Sequence, residues 1–155
     1  ILVAIYFTTQ SFVPKSGAGK FFGKTSTATA ITSYILLVGL GYQFLLRHIW
    51  DPQGLQRIVD ELLHSIIPLF MLLYWLFFIP KTQMPLTSIL KWTIYPITYF
   101  GFVLLRGPAS GFYPYYFIDV SKLGYASALT QSFVMLIAFL VIAFVLMMMK
   151  RKANA

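Results

Sequence analysis

Residues 124–149 read GYASALTQSFVMLIAFLVIAFVLMMM, an apolar run with no charged side chain that ends at Lys150. About 20 apolar residues in helical conformation cross the ~30 Å hydrocarbon core of a bilayer. Because backbone polar groups must be satisfied internally in lipid, such a run predicts a membrane-spanning α-helix. Further apolar stretches of about this length lie upstream, so we predict an all-α fold, a polytopic transmembrane helix bundle.

The composition of the chain supports this fold class. It has 155 residues, of which 59% are hydrophobic and 10% charged, whereas ordinary globular proteins carry roughly 25% charged residues. The net charge of +8 comes from twelve Lys and Arg residues, spread through the segments between apolar runs, where such residues determine membrane topology. We therefore expect no nucleic-acid partner. The chain has no cysteine, which excludes disulfides and thiolate metal sites.

Proline, glycine and charged residues divide the sequence into five predicted helices, the first of them partial. Asp51 as N-cap and Pro52 at the first helical position predict the start of the third helix, and Pro80 ends it. The aromatic segment 111–117 is expected to lie at headgroup level, as a belt and partial lid. The predicted helices cover about residues 1–13, 28–46, 51–78, 86–105 and 124–149.

Basic residues predict the orientation of the bundle. If the sequence KRK at 150–152 is cytoplasmic, eight basic residues fall inside, while four basic residues and all four acids fall outside. We therefore expect a multi-pass protein of a bacterial inner membrane with a cytoplasmic C-terminus. The first helix rises only about 20 Å, so we expect it to begin before Ile1. One more upstream helix would give a six-helix protein, in which residues 1–155 form a single transmembrane domain.

The third predicted helix carries the candidate catalytic residues. Asp60 and His64 lie one helical turn apart, with Arg57 and Glu61 on the same side. A carboxylate beside an imidazole orients the ring and raises its basicity, as a general base requires. Ionisable residues inside a membrane are costly and therefore indicate function. The alternative is structural: His64 lies only about two turns from the helix start, and Arg57 and Glu61 have the i,i+4 spacing of an interfacial ion pair.

Other polar residues are expected at the same depth, near the outer face. Together they would form a polar pocket with apolar walls, which suits an amphiphile with an acyl tail and an ester head. The inner half has few buried polar groups, which argues against a channel or transporter. With only two histidines and no ligand spacing, we predict no metal and no cofactor. The candidate substrate-binding residues are Gln43, Arg47, Arg106 and Tyr115.

Several strings occur in an order that resembles a known family. They are WDPQGLQR at 50–57, DELLH at 60–64, YPITY at 95–99, LRG at 105–107 and GFYPYYFID at 111–119. Their order resembles the bacterial branch of a six-pass membrane family that includes androgen-induced protein and androgen-dependent TFPI-regulating protein. The resemblance covers most of residues 40–125.

The resemblance implies a chemistry, because the animal members are threonine-type hydrolases of fatty acid esters of hydroxy fatty acids. His64 matches the family histidine, whereas Asp60 and Glu61 stand where animal members have Asn and His, and Tyr116 replaces a Pro. Thr8 superficially matches the family's Phe-Thr segment. In the predicted topology, however, it lies some 10–15 Å from the depth of His64. We therefore expect the nucleophilic threonine just upstream of residue 1.

Two functions follow from this reading. In the first, the protein hydrolyses a lipid ester: His64 is the general base, Asp60 orients it, and Arg106 or Arg47 binds a carboxylate. In the second, it is a non-catalytic membrane subunit or lipid-binding scaffold whose outer polar cluster contacts a partner in a larger membrane-protein complex. Membrane lipids are expected neighbours in both cases.

Overall fold

A computed structural model of the chain describes residues 1–152. The protein is 78% helical, with no strand among the described residues, which confirms the all-α fold class. The helices are α1 (Leu2–Phe12), α2 (Gly17–Phe22), α3 (Thr25–Leu46), α4 (Leu55–Phe78), α5 (Ser88–Ser110) and α6 (Val120–Lys150). Four of them, α3 to α6, are long and apolar enough to cross a membrane, so the chain is a multi-pass membrane protein.

The predicted start of the third helix is wrong by three to four residues. The segment from Asp51 to Gln53 is not helical, and α4 begins at Leu55 after Gly54, whose φ is 58°. A left-handed residue interrupts the helical path, and glycine adopts this conformation without the usual steric cost. The side chain of Asp51 therefore does not cap the helix.

Other helix boundaries also differ from the predictions. Between the first two predicted helices, the structure contains α2. Ser16 caps its first turn, because Oγ of Ser16 accepts from the amide of Gly19 at 3.0 Å. Helix α5 continues past the predicted end near residue 105 to Ser110. Helix α6 begins at Val120, but the backbone of Gly124 is non-helical, so the long apolar part starts after it, close to the prediction.

The chain divides into two compact units, of which unit 1 contains residues 1–85 and the end of α6 from Ile142. Its buried centre joins four helices. Between α3 and α4, the indole Nε1 of Trp75 donates to Oγ1 of Thr29 at 2.9 Å, and both residues are fully buried. The buried core cluster consists of Tyr6, Ala28, Ile31, Met71, Trp75, Ile79 and Leu146.

Lys150 connects the end of α6 to the end of α4. It is only 7% exposed, and its ammonium donates to the carbonyls of Leu76 at 3.0 Å and Ile79 at 2.6 Å. The same ammonium lies 4.9 Å from the ring centroid of Trp75. The last carbonyls of a helix have no intrahelical partner, and a cation there also interacts favourably with the helix dipole. Lys150 is thus a C-terminal cap supplied from another helix.

Unit 2 contains residues 86–141, namely α5, most of α6 and the segment between them. Asp119, which is 8% exposed, precedes α6. Its Oδ1 accepts from the amide of Ser121 at 3.1 Å and from the Ser121 hydroxyl at 2.5 Å. The ammonium of Lys122 lies 3.6 Å from Oδ2. The hydrogen bond from Ser121 is the main cause that holds the pKa of Asp119 below its usual value.

Replacement of Lys150 by Met should destabilise the protein. The substitution leaves the carbonyls of Leu76 and Ile79 without their charged donor, and hydrogen bonds to charged groups contribute about 1.5–3 kcal/mol. We expect a lower midpoint of thermal unfolding in detergent micelles. Lys152→Met, at an exposed lysine two residues away, is the matched control and should unfold like the wild type. Equal midpoints for both variants would contradict the capping role.

Ser121→Ala should raise the pKa of Asp119 towards its ordinary value, because the hydroxyl that stabilises the carboxylate is removed. A carboxyl whose folded pKa is lowered stabilises the fold above its unfolded pKa, and this contribution is lost as pH falls through the folded pKa. The variant should therefore lose it at a higher pH than the wild type. NMR titration of ¹³C-labelled aspartate would measure the shift. Ser127→Ala, at an exposed serine on α6, should leave the titration unchanged.

Candidate functional site

Two π-helical turns lie at the predicted site residues of unit 1. They cover Tyr42–Leu46 in α3 and Leu62–Ile66 in α4. Single π turns inside α-helices are rare, and those that do occur are often found at functional sites. The four predicted site residues of this unit all lie in or beside these turns: Gln43, Arg47, Asp60 and His64. The sequence predicted continuous α-helices here and gave no sign of the turns.

Pro68 and Gly39 lie beside the π turn in α4. Pro68 has no amide hydrogen, so it cannot donate to the carbonyl of His64 four residues earlier. Next to this carbonyl, α3 comes very close: a Cβ on Gly39 would lie 3.0 Å from ring carbons of Pro68 and 3.1 Å from the His64 oxygen. A side chain at residue 39 would therefore displace the backbone that holds His64.

His64 and Asp60 form the contact that the sequence predicted. The imidazole Nδ1 lies 2.9 Å from the backbone carbonyl of Asp60 and 3.2 Å from its Oδ1. The ring stacks on Tyr42, with centroids 4.5 Å apart and planes 12° apart. If Nδ1 carries the proton, as these acceptors favour, Nε2 is the nitrogen with a free lone pair. The geometry is therefore suited to proton abstraction by Nε2.

The carboxylate of Asp60 has unused hydrogen-bonding capacity. Its side chain is 12% exposed, and Oδ2 is buried without a hydrogen-bond partner among the described residues. The phenol of Tyr42 lies beside the same carboxyl group. A buried acceptor without a donor costs free energy, so its presence needs an explanation. An additional donor, such as a ligand hydroxyl, would satisfy it.

A closed ring of polar side chains lies next to this pair. Arg47 donates to Oε1 of Gln43 and to Oε1 of Glu61, both at 2.6 Å. Gln43 donates to Oγ of Ser65 at 2.8 Å, and Ser65 donates to Oε2 of Glu61 at 2.6 Å. We call these four residues the polar ring. Ser65 was missed in the sequence, although its spacing of four from Glu61 was a usable signal.

The polar ring bears on the predicted roles of Gln43 and Arg47. Both terminal nitrogens of Arg47 are occupied, and Gln43 uses its oxygen and its nitrogen within the ring. Arg47 uses two of its five N–H donors in the ring, so further donors of its exposed guanidinium remain. Their role in binding a substrate stays a prediction. Among the described residues, no three potential ligands are arranged to hold a metal ion.

The other two predicted binding residues, Arg106 and Tyr115, belong to unit 2. Arg106 is exposed, and its guanidinium carbon lies 5.9 Å from the ring centroid of Phe112. Tyr115 stacks on Phe117 with centroids 5.3 Å apart. Burial is the main cause that raises the pKa of the Tyr115 hydroxyl, so this phenol stays protonated at neutral pH. Their substrate-binding role also stays a prediction.

Contacts between α1 and α4 fix the depth of Thr8. The ring of Phe7 lies 5.5 Å from that of Phe70 and 4.9 Å from that of Tyr74. His64 precedes these two residues by six and ten positions, which corresponds to roughly 9–15 Å along a helix. Thr8 is therefore about two to three turns from His64 in depth, too far for a direct hydrogen bond.

No family model, curated protein or solved structure matches this chain. The resemblance of residues 50–64 and 95–119 to the six-pass family therefore stays an expectation from those motifs.

Gly39→Ala should disturb the site and destabilise unit 1. The new methyl group would meet Pro68 and the His64 carbonyl at about 3 Å, and overpacking of this kind costs about 1–3 kcal/mol. We expect a lower midpoint of thermal unfolding and shifted ¹H–¹⁵N resonances of the His64 ring. Gly41→Ala on the same helix meets nothing within 4 Å and should behave like the wild type. Equal effects of both substitutions would refute the close approach.

Proposed function

We propose that this membrane protein takes part in the hydrolysis of fatty-acid esters, with His64 as the general base. The observation that carries the proposal is the Asp60–His64 contact. Nδ1 of His64 lies 3.2 Å from the carboxylate Oδ1 of Asp60 and 2.9 Å from its backbone carbonyl oxygen. An imidazole oriented in this way is a common general base in ester hydrolysis. The family resemblance supports the same assignment, because His64 falls at the position of the family histidine.

In the proposed reaction, Nε2 of His64 takes the proton from a hydroxyl group as its oxygen attacks the ester carbonyl carbon. Asp60 stabilises the imidazolium that forms, and the stacked ring of Tyr42 restricts rotation of the imidazole. The imidazolium then returns the proton to the departing alkoxide, which leaves an acylated hydroxyl for hydrolysis by water. General base catalysis of this kind contributes about 10²- to 10⁴-fold.

The nucleophile would be a hydroxyl group at the same membrane depth as His64. The resemblance implies a threonine. Thr8 is a poor candidate, because its neighbour Phe7 packs against Phe70 and Tyr74 of α4, about two to three turns from His64. Ser65 is next to His64 in sequence, but its hydroxyl already donates to Glu61.

The surroundings of His64 favour a membrane-resident substrate. In a membrane protein, exposed apolar side chains on a spanning helix face lipid. Several lie on α4 around His64, between 40% and 56% exposed: Leu62, Leu63, Ile66 and Leu69. A substrate with an acyl chain could reach the imidazole along this surface, which supports a lipid ester over a water-soluble one.

The polar ring favours a second candidate, a non-catalytic subunit or lipid-binding scaffold. All four members satisfy one another within the chain, at 2.6–2.8 Å. Mutual hydrogen bonds of this kind are what a clamp that joins two helices needs. In this alternative, the Asp60–His64 pair is part of the same clamp, and any partner would be another membrane protein.

His64→Ala should reduce ester hydrolysis at least 100-fold and abolish labelling by a fluorophosphonate probe. The measurement uses full-length protein in detergent micelles with a fatty acid ester of a hydroxy fatty acid as substrate. His48→Ala, at the exposed second histidine, should retain full activity and labelling. Equal thermal unfolding of the two variants would ensure that His64→Ala is folded. Labelling that does not depend on His64, or no turnover by the wild type, would favour the scaffold.

A further inference from the structure

We propose that unit 2 binds the phosphate of an acidic phospholipid headgroup through Arg106. This site lies in a different unit from Asp60 and His64 and does not depend on hydrolase activity. It rests on a cleft, an unneutralised guanidinium and the lipid-facing side chains around them.

The cleft lies near the C-terminal end of α5 and has a volume of about 100 Å³. It forms because the segment after α5 folds back onto the helix. Gly107 has no side chain, and the ring of Tyr113 fills the space that one would occupy. A Cβ at residue 107 would lie 2.2 Å from a carbon of this ring. The cleft is lined by Tyr99, Phe102, Val103, Arg106, Phe112 and Pro114.

Charge complementarity indicates what the cleft binds. Asp119 is the single acid among residues 86–141, and its carboxylate is engaged with Ser121 and Lys122. Arg106 contacts the face of Phe112, which does not neutralise its charge. A guanidinium presents paired donors that match two oxygens of a phosphate or carboxylate. The cleft therefore offers one strong anion-binding group within largely aromatic walls.

The depth of Arg106 favours a lipid phosphate as the source of the anion. Arg106 precedes the end of α5 at Ser110 by four residues, about one turn from the end of a membrane-spanning helix, where headgroups lie. The neighbouring apolar side chains are open to lipid: Phe102 is 55% exposed and Leu105 83% exposed. A phospholipid could place its phosphate on Arg106 and its acyl chains along these residues.

The charge at this end of α5 favours an acidic lipid over a zwitterionic one. Arg106 and Lys122 give two positive charges against the one negative charge of Asp119, a balance of +1. Acidic lipids are attracted to cationic side chains at a membrane surface, by about 1 kcal/mol per residue. The expected preference is for phosphatidylglycerol over phosphatidylcholine.

Isothermal titration calorimetry of full-length protein in a neutral detergent tests the proposal, with dihexanoyl-phosphatidylglycerol as the probe. Arg106→Gln should bind it about tenfold more weakly than the wild type, which corresponds to about 1.4 kcal/mol. Arg106→Lys keeps the charge but not the paired donors, so its affinity should lie between the two. Arg57→Gln, at an exposed arginine on α4, should bind like the wild type.

The outcomes separate the possible sources of the anion. Unchanged affinity of Arg106→Gln, or equal losses in Arg106→Gln and Arg57→Gln, would overturn the site. Inorganic phosphate or hexanoate that displaces the probe at equal concentration would overturn the assignment to a lipid headgroup. If Arg106→Gln fails to fold, Arg106→Lys decides: binding equal to the wild type would refute the paired contact. Tighter binding of dihexanoyl-phosphatidylcholine than of dihexanoyl-phosphatidylglycerol would refute the preference for acidic lipid.

Discussion

The missing amide hydrogen of Pro68 is the constraint on which the candidate site depends. In a membrane-spanning helix, a carbonyl that loses its helical donor has no water to replace it. Here the helix widens into a π turn just before Pro68, and α3 approaches the His64 carbonyl at Gly39. The turn sets the angular position of His64 and Ser65. The polar ring, which joins α3 to α4, lies at this local departure from α-helical geometry, whereas the Asp60–His64 contact needs only a spacing of four along the helix.

The polar groups around the site differ in whether all their hydrogen-bonding atoms have partners. The polar ring is closed, so its members connect α3 to α4 and contribute chiefly to positioning. Asp60 and His64 are not closed in this way, because Oδ2 of Asp60 lacks a partner among the described residues. Ionisable groups inside a membrane protein that are left incompletely satisfied are the usual candidates for function. This contrast, more than the presence of charge, separates the candidate catalytic pair from the polar ring.

The sequence predicted the fold class and the Asp60–His64 contact, because both depend on local spacing: apolar runs of about 20 residues and a separation of four along a helix. It missed the start of α4, where a positive φ at Gly54 outweighed the capping signal of Asp51 and Pro52. It also missed the π turns and the ring. These depend on which helix lies against Pro68, and one sequence contains no information on that pairing.

The cap on α4 has a consequence for biosynthesis. The carbonyls of Leu76 and Ile79 receive their charged donor from Lys150, 74 and 71 residues later in the chain. At synthesis rates of about 5–20 residues per second, roughly 4–15 s pass between the two ends. During that interval, α4 has already been made while its last carbonyls still depend on water at the membrane surface. Final docking of α4 in unit 1 must therefore wait for the last helix to be inserted.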